Sequence, residues 1–154
     1  MAKEIERKFL IDVGLVVELN DGKRISQGYI GTNDKTVVRA RIIGDEAFLT
    51  LKGEVKGFTC SEFEYQIPID DAVNIIDELC SGGVVDKTRY EIMHENHTWE
   101  IDVFHGQNEG LVVAEVEVQS ESESVSLPKW IVKEVTGDAK YFNVSLLTNP
   151  YSQW

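Results

Sequence analysis

The chain has 154 residues and a formal net charge of −12, because 27 acidic residues outnumber 15 lysines and arginines. One domain covering residues 1–154 suits this length, and the charge opposes binding to a nucleic-acid backbone. No apolar run reaches the length of about 18 residues typical of a membrane span, and the first residues are charged, so we expect a cytoplasmic protein without a membrane partner.

Short runs of alternating apolar and polar residues fill most of the chain between Glu4 and Gln119, and turn-forming residues separate them. Alternation with a period of two is typical of β-strands. Turns are predicted at residues 44–45, 94–96 and 106–108, each joining two strands of an antiparallel meander in which sequential strands pair. The sequence therefore predicts a mainly β protein.

Helical spacing of apolar residues interrupts this alternation. Residues Asp70 to Cys80 begin with acidic side chains and are followed by glycines, which predicts an amphipathic helix. We also predict short helices from Pro128 through Val132 and from Tyr141 to Leu147. Residues Asp12 to Leu19 form a further candidate, so helices are expected around a protein that is otherwise β.

Charged residues occupy the polar face of nearly every predicted strand, and like charges recur two positions apart. Arg39 shares a strand face with Arg41, and Glu115 shares one with Glu117. A solvated sheet face is one explanation, but such faces are usually mixed in polarity. A ligand of opposite charge would relieve the repulsion, so acidic pairs favour a hard divalent cation and basic pairs a polyanion.

All of these side chains can reach one ligand if the strands close into a barrel with the charged faces inward. The apolar faces then point outward and need helices to cover them. The pattern therefore predicts an α+β, mainly β protein: a closed β-barrel with a charged lumen, peripheral helices and its core outside the barrel. Its expected ligand is a metal-bound polyphosphate.

The segment from Glu4 to Lys8 (EIERK) resembles the ExExK signature of the CYTH superfamily, the triphosphate tunnel metalloenzymes. Further motifs of that family follow in order along nearly the whole chain. They are Arg39-Ala40-Arg41, Thr50-Leu51-Lys52, Glu62-Phe63-Glu64, Lys87-Thr88-Arg89, Asp102, Glu115-Val116-Glu117 and Lys140. This resemblance implies an eight-stranded antiparallel barrel, the triphosphate tunnel, and a requirement for Mg²⁺ or Mn²⁺.

The compact length resembles bacterial members that hydrolyse inorganic tripolyphosphate to pyrophosphate and phosphate. Class IV adenylate cyclases of this family are longer and commonly carry an N-terminal HFxxK-like motif, which is missing here. A cyclase, or a nucleoside or thiamine triphosphatase, is the alternative on the same fold. A non-catalytic polyphosphate-binding module is the alternative of another class.

On this basis we assign two sets of side chains to the ligand. The carboxylates expected to bind divalent cations are Glu4, Glu6, Glu62, Glu64, Asp102, Glu115 and Glu117. The cations expected to hold phosphates are Lys8, Arg39, Arg41, Lys52, Lys87, Arg89 and Lys140.

Water activation has two candidate routes. One is a metal-bound hydroxide, and the other is Lys87, whose pKa neighbouring arginines would lower, with help from Tyr29. The sequence leaves open the number of metals, the formation of a homodimer, and whether residues Tyr141 to Leu147 plug the tunnel.

Overall fold

The computed structural model describes residues 3–16 and 18–154, which form mainly β-strands. The strands are β1 (Lys3–Ile11), β2 (Lys23–Ile30), β3 (Val37–Ile43), β4 (Glu46–Lys52), β5 (Thr59–Ile67), β6 (Val85–His94), β7 (His97–Phe104), β8 (Val112–Glu117) and β9 (Ile131–Glu134). The helices are α1 (Ile69–Leu79) and α2 (Ser145–Thr148), with 3₁₀ turns at Val13–Leu15, Gly106–Asn108, Ala139–Tyr141 and Tyr151–Gln153. Within the described ranges, no helix is long and apolar enough to cross a membrane.

Strands β1 to β8 form a closed antiparallel barrel in the order β5-β4-β3-β2-β6-β7-β8-β1, and β1 closes the ring by pairing with β5. Residues 3–5 of β1 pair with residues 59–61 of β5, and residues 6–10 pair with β8. Beyond the pairing with β5, the free edge of β1 is taken by β9. The prediction of a closed eight-stranded barrel is confirmed.

The predicted turns at residues 44–45, 94–96 and 106–108 do join sequential strands. The prediction that sequential strands pair is wrong for β1 and β2, since β1 pairs with β5, β8 and β9 instead, and it is wrong again after β5. There α1 crosses the outside of β2, β3 and β4, so β6 pairs with β2 rather than with β5. Alternation along a strand does not reveal this crossover.

The main apolar core lies outside the barrel, as predicted. Trp99 of β7 is buried, and its ring lies 5.4 Å from that of Phe9 and 5.5 Å from that of Trp130. On another side α1 covers the barrel, and Gly28 of β2 lets Cys80 approach so closely that an added Cβ would lie 3.0 Å from its sulfur. These outward contacts leave the inward faces free for charged side chains.

Helix α1 confirms the prediction for residues 70–80, but the other predicted helices are short or absent. The prediction from Pro128 through Val132 is wrong, because residues 131–134 form β9. Strand β9 pairs with the edge of β1 that β5 leaves free. This pairing satisfies backbone groups of β1 that would stay unpaired if residues 131–134 were helical. Residues 12–19 contain one 3₁₀ turn at Val13–Leu15, and Val17 lies outside the described residues.

The segment from Tyr141 to Leu147 divides between a 3₁₀ turn and the four-residue helix α2. Leu146 of α2 is buried in a second apolar cluster with Val85, Phe104 and Val113, which share strand faces with inward charged residues. This segment therefore packs against one end of the barrel interior. We call residues 139–148 the C-terminal plug.

Candidate active site

The barrel interior encloses a cavity of about 360 Å³ to which all eight barrel strands contribute side chains. Seven glutamates and six lysines or arginines line it. The residues from the sequence-based sets that line this tunnel cavity are Glu4, Glu6, Lys8, Tyr29, Arg39, Arg41, Lys52, Glu62, Glu64, Lys87, Arg89, Glu115 and Glu117. The alternation of charged and apolar residues along each strand thus places side chains that are distant in sequence around one cavity.

Asp102 lies behind the cavity wall and is fully buried. It accepts hydrogen bonds from Lys87 Nζ at 2.7 Å and from Arg89 Nε and Nη2 at 2.7 and 2.8 Å. Burial alone would raise the pKa of Asp102, but the two cations outweigh burial and lower it. The carboxylate is therefore occupied with fixing two cations, not with facing a ligand.

Lys87 is 2% exposed and donates to Asn143 Oδ1 at 2.9 Å as well as to Asp102. Burial lowers the pKa of Lys87 to about 8, Asp102 opposes this shift, and Arg89 adds to it. The sequence pointed to neighbouring cations as the cause of a lowered pKa, whereas burial is the larger cause. An amine with this pKa can exchange a proton near neutral pH.

Arg39 and Arg41 of β3 converge on one carboxylate oxygen. Each Nη2 lies 3.3 Å from Glu64 Oε2, which also accepts the Thr50 hydroxyl at 2.8 Å. Burial lowers the pKa of Arg41 to about 10, and Arg39 and Arg89 contribute. The Nε atoms of Arg39 and Arg41 are buried and have no hydrogen-bond partner among residues 3–16 and 18–154. Two guanidinium groups on one carboxylate leave an excess of positive charge, which favours an anionic ligand.

Lys52 of β4 pairs with two glutamates. Its Nζ lies 2.9 Å from Glu4 Oε1 and 3.4 Å from Glu62 Oε2. Burial disfavours the charged amine, but Glu4 and Glu6 together outweigh burial and raise the pKa of Lys52. On β1, Lys8 Nζ donates to the backbone oxygen of Tyr141 at 3.0 Å, so a tunnel cation contacts the C-terminal plug.

Glu6 of β1 and the acidic pair of β8 bring carboxyl groups together. Glu6 lies opposite Glu117 in the strand register, and its carboxyl group shares a hydrogen bond with Glu115. Burial raises the pKa of Glu6 well above its usual value, and Glu115 adds to the shift. Burial opposes ionisation of Glu115, but Lys8 and the hydrogen bond from Glu6 lower its pKa. The two carboxyl groups are oxygen donors of the kind that a divalent cation binds.

No group of three or more His, Cys, Asp or Glu side chains is arranged to hold a metal ion within residues 3–16 and 18–154. The reason is pairing, since Glu4, Glu62, Glu64 and Glu100 all turn toward lysine or arginine. The chemistry of the donors nevertheless fits Mg²⁺ or Mn²⁺, because these acidic groups offer only carboxylate oxygens. Binding would require ion pairs to exchange for metal contacts.

Lys140 does not line the tunnel cavity. Its Nζ lies 4.0 Å from the centroid of the Trp154 ring, an attraction between a cation and an aromatic face. Sequence reasoning also left out Glu100, Gln27 and Asn143. Alternation with Asp102 could have identified Glu100, whereas nothing in the local sequence of Asn143 indicates that it reaches Lys87.

Comparison with known proteins gives a consistent picture. The CYTH domain model matches residues 2–151. An inorganic triphosphatase of Acetivibrio thermocellus is 42% identical over 154 residues, which cover 100% of this chain and 99% of that protein. An inorganic triphosphatase of Nitrosomonas europaea is 37% identical over 147 residues, which cover 93% of this chain and 95% of that protein. The crystal structure of an inorganic triphosphatase, 36% identical, superposes with a TM-score of 0.67 and covers 96% of this chain and 95% of that one.

Proposed function

The chain belongs to the CYTH domain family, and from this premise we propose that it is a metal-dependent hydrolase that converts inorganic tripolyphosphate to pyrophosphate and phosphate. The observation that carries the proposal is the convergence of six lysines or arginines and seven glutamates on one cavity inside the barrel. Two relatives that match over almost the whole chain bear the name inorganic triphosphatase. A cavity lined by both signs of charge suits a polyanion accompanied by divalent cations.

In this proposal the cations hold the phosphates. Arg39 and Arg41 offer planar forks for two oxygens of one phosphate, while Lys8, Lys52 and Arg89 supply further charge. Arg89 is fixed in place by Asp102, so it needs little reorganisation when the ligand enters.

The glutamates proposed to hold Mg²⁺ or Mn²⁺ are Glu4, Glu6, Glu115 and Glu117, with Glu62 and Glu64 at the same cavity. The metal, when bound, neutralises charge on the phosphates and on the transferred phosphoryl group. Asp102 is proposed as the partner of Lys87 and Arg89 and not as a metal ligand, since both its oxygens are engaged.

Hydrolysis requires a water molecule to attack a terminal phosphorus in line with the departing oxygen. Neutral Lys87 can accept a proton from that water, and the lowered pKa makes the neutral form accessible. Arg39, Arg41 and Arg89 line the same cavity and would stabilise the charge of the phosphoryl group as it transfers. The low exposure of the Arg39, Arg41 and Arg89 side chains, 12–14%, limits the screening of these interactions by water.

The direct test is phosphate release by the purified protein with Mg²⁺ or Mn²⁺, using tripolyphosphate, pyrophosphate, ATP and thiamine triphosphate, with an EDTA control. We expect fastest release from tripolyphosphate and none in EDTA. Tight binding of tripolyphosphate without release would support a non-catalytic polyphosphate-binding module instead. Equal release with and without metal would contradict the proposed metal dependence.

A specific observation supports organic triphosphates as a second class of substrate. A larger cavity of about 640 Å³ adjoins the tunnel cavity and shares Tyr29, Val37 and Phe142 with it. Its lining includes Ile30 and Leu147, which suits a group less polar than phosphate. Faster release from ATP or thiamine triphosphate than from tripolyphosphate would favour this second candidate.

The proposed partner is thus a small-molecule polyphosphate. The net charge of −12 gives no reason to add a nucleic-acid partner. A cytoplasmic location and a homodimer stay predictions, and sedimentation of the purified protein would decide the oligomeric state.

The pH dependence of turnover should report the proton acceptor. Because burial lowers the pKa of Lys87 to about 8, the neutral amine forms as the pH rises through that value. We therefore expect kcat for tripolyphosphate to rise between pH 7 and pH 9, roughly tenfold per pH unit on the acidic side of the pKa. Replacing Lys87 by alanine should remove this limb from the residual activity, and an unchanged profile would exclude Lys87 as the base.

The guanidinium geometry of Arg39 can be tested without changing its charge. In Arg39→Lys the single ammonium cannot make two parallel hydrogen bonds to a phosphate, so we expect KM for tripolyphosphate to rise about tenfold. The matched control is Arg24→Lys on the neighbouring strand β2, where Arg24 forms an exposed pair with Asp86. Steady-state kinetics should show almost no change in the control, and equal effects in both variants would contradict a phosphate contact.

A further inference from the structure

A hydrogen-bonded chain of four polar side chains borders the tunnel cavity at the C-terminal plug. Lys87 Nζ donates to Asn143 Oδ1 at 2.9 Å. Gln27 Nε2 lies 3.4 Å from the same oxygen and 2.7 Å from the Tyr29 hydroxyl oxygen. Tyr29, Lys87 and Asn143 also line the cavity, so the chain ends at the ligand space.

The chemistry of these groups fixes the direction of each hydrogen bond. Lys87 Nζ donates to Asp102 at 2.7 Å and to Asn143 at 2.9 Å, which takes two N–H bonds and is open to the neutral amine as well as to the ammonium, so the Asn143 atom that faces it is the oxygen. The Gln27 atom that faces this oxygen must then be the amide nitrogen, because two oxygens would repel each other. That nitrogen also donates to Tyr29, which therefore accepts a hydrogen bond through its hydroxyl oxygen.

Since the Tyr29 oxygen accepts from Gln27, its own proton is free to point elsewhere. Burial raises the pKa of Tyr29, so the hydroxyl keeps that proton at neutral pH. Gln27 Oε1 is buried and has no hydrogen-bond partner in the part of the chain that the structure describes. Rotating the amide would let this oxygen accept from Tyr29, but would place an oxygen against Asn143 Oδ1. The structure thus holds Gln27 in the orientation that leaves the Tyr29 proton available.

We propose that Gln27 and Asn143 are positioning residues that fix the Tyr29 hydroxyl as a hydrogen-bond donor to a phosphate oxygen in the tunnel cavity. Lys87 sets the direction of the chain, Asn143 and Gln27 transmit it, and Tyr29 makes the contact with the ligand. The inference rests on the proposed function, because it takes a polyphosphate as the ligand of the cavity.

A double-mutant cycle between Gln27 and Tyr29 tests the proposal. Methionine nearly matches the shape of glutamine but has no amide, so Gln27→Met removes the orienting hydrogen bond. We expect Gln27→Met and Tyr29→Phe each to lower kcat/KM for tripolyphosphate about tenfold, the value of one oriented hydrogen bond. The double variant should be no worse than Tyr29→Phe alone, because Gln27 acts through the tyrosine proton. Losses that multiply to about a hundredfold would overturn the proposal.

A second variant serves if Gln27→Met folds poorly. In Gln27→Glu the side chain keeps its shape, but its carboxylate accepts a hydrogen bond from the Tyr29 hydroxyl. This hydrogen bond turns the hydroxyl proton away from the cavity. We expect kcat/KM to fall at least as far as in Tyr29→Phe, and wild-type activity in Gln27→Glu would overturn the proposal. Gln66→Met is the matched control, since Gln66 is exposed on β5 and bonds to Glu46. It should leave kcat/KM unchanged.

Binding separates failure of this inference from failure of the proposed function. Calorimetry gives Kd for tripolyphosphate in each variant whether or not turnover occurs. If the wild-type protein binds but does not hydrolyse tripolyphosphate, the proposed function fails, and the same cycle measured on Kd still tests Gln27. Equal Kd values and equal turnover in wild type and Gln27→Met would overturn the inference while leaving the proposed function intact.

Discussion

Replacing Asp102 by asparagine is expected to lower the free energy of unfolding by about 3–5 kcal/mol. Asp102 is fully buried and compensates the charges of Lys87 and Arg89 through three hydrogen bonds of 2.7 to 2.8 Å. Asparagine keeps the shape but removes the negative charge, so two cations remain in a confined space with less compensation. The penalty for such an uncompensated charge exceeds the value of the pair itself.

Urea denaturation of Asp102→Asn measures this loss, and Asp86→Asn provides the control. Asp86 on β6 also accepts two hydrogen bonds from an arginine, Arg24, but that pair is exposed. Solvent screens it, so we expect the control to lose about 1 kcal/mol or less. Similar losses in the two variants would show that burial does not set the importance of Asp102.

Turnover of Asp102→Asn is expected to fall beyond what reduced stability explains. Asp102 holds the Lys87 amine and the Arg89 guanidinium in place, so its loss affects both the proposed base and a phosphate ligand. Assays well below the unfolding transition separate this effect from unfolding. Full activity in a folded Asp102→Asn protein would contradict the positioning role.

The barrel could be predicted because its signal is local. Each strand alternates charged and apolar residues, so the pattern alone assigns Arg39 and Glu62 to the inward face. Closure needs only that every charged face reach one ligand, and the cavity shared by all eight barrel strands agrees with that requirement. The depth of a side chain is not local, however. Alternation turned Asp102 inward, but its burial behind two cations depends on Lys87 and Arg89 of the neighbouring strand.

Two features were not predictable from neighbouring residues. The segment from Ile131 to Glu134 is a strand only because β1 separates from β5 and exposes an edge there. Asn143 reaches Lys87 only because Leu146 packs into the apolar end of the barrel, which places the C-terminal plug beside Lys87. Both depend on how distant segments meet, which spacing along one segment does not encode.

Replacing Glu6 by glutamine should lower turnover without lowering the stability of the fold, whereas Asp102→Asn is expected to lower both. Glu6 shares a hydrogen bond with Glu115, and burial raises its pKa well above the usual value. Glutamine supplies an N–H donor where that shared proton lies, so the carboxyl of Glu115 keeps a partner. Because a raised pKa in the folded state makes ionised Glu6 unfavourable above its unfolded pKa, the neutral amide should not destabilise the fold at pH 7. We expect urea denaturation to show a free energy of unfolding equal to or above that of the wild-type protein.

Turnover in Glu6→Gln should nevertheless fall about a hundredfold or more, because the proposed metal site loses a charged oxygen ligand worth several kcal/mol to the transition state. Phosphate release from tripolyphosphate should be measured over a range of Mg²⁺ and Mn²⁺ concentrations. We expect Glu6→Gln to need a higher metal concentration for half-maximal release than the wild-type protein. Glu78→Gln on the exposed face of α1 is the control and should behave as wild type. A Glu6→Gln protein with the wild-type metal response would remove Glu6 from the metal site and leave Glu115 and Glu117 as the acidic pair to test next.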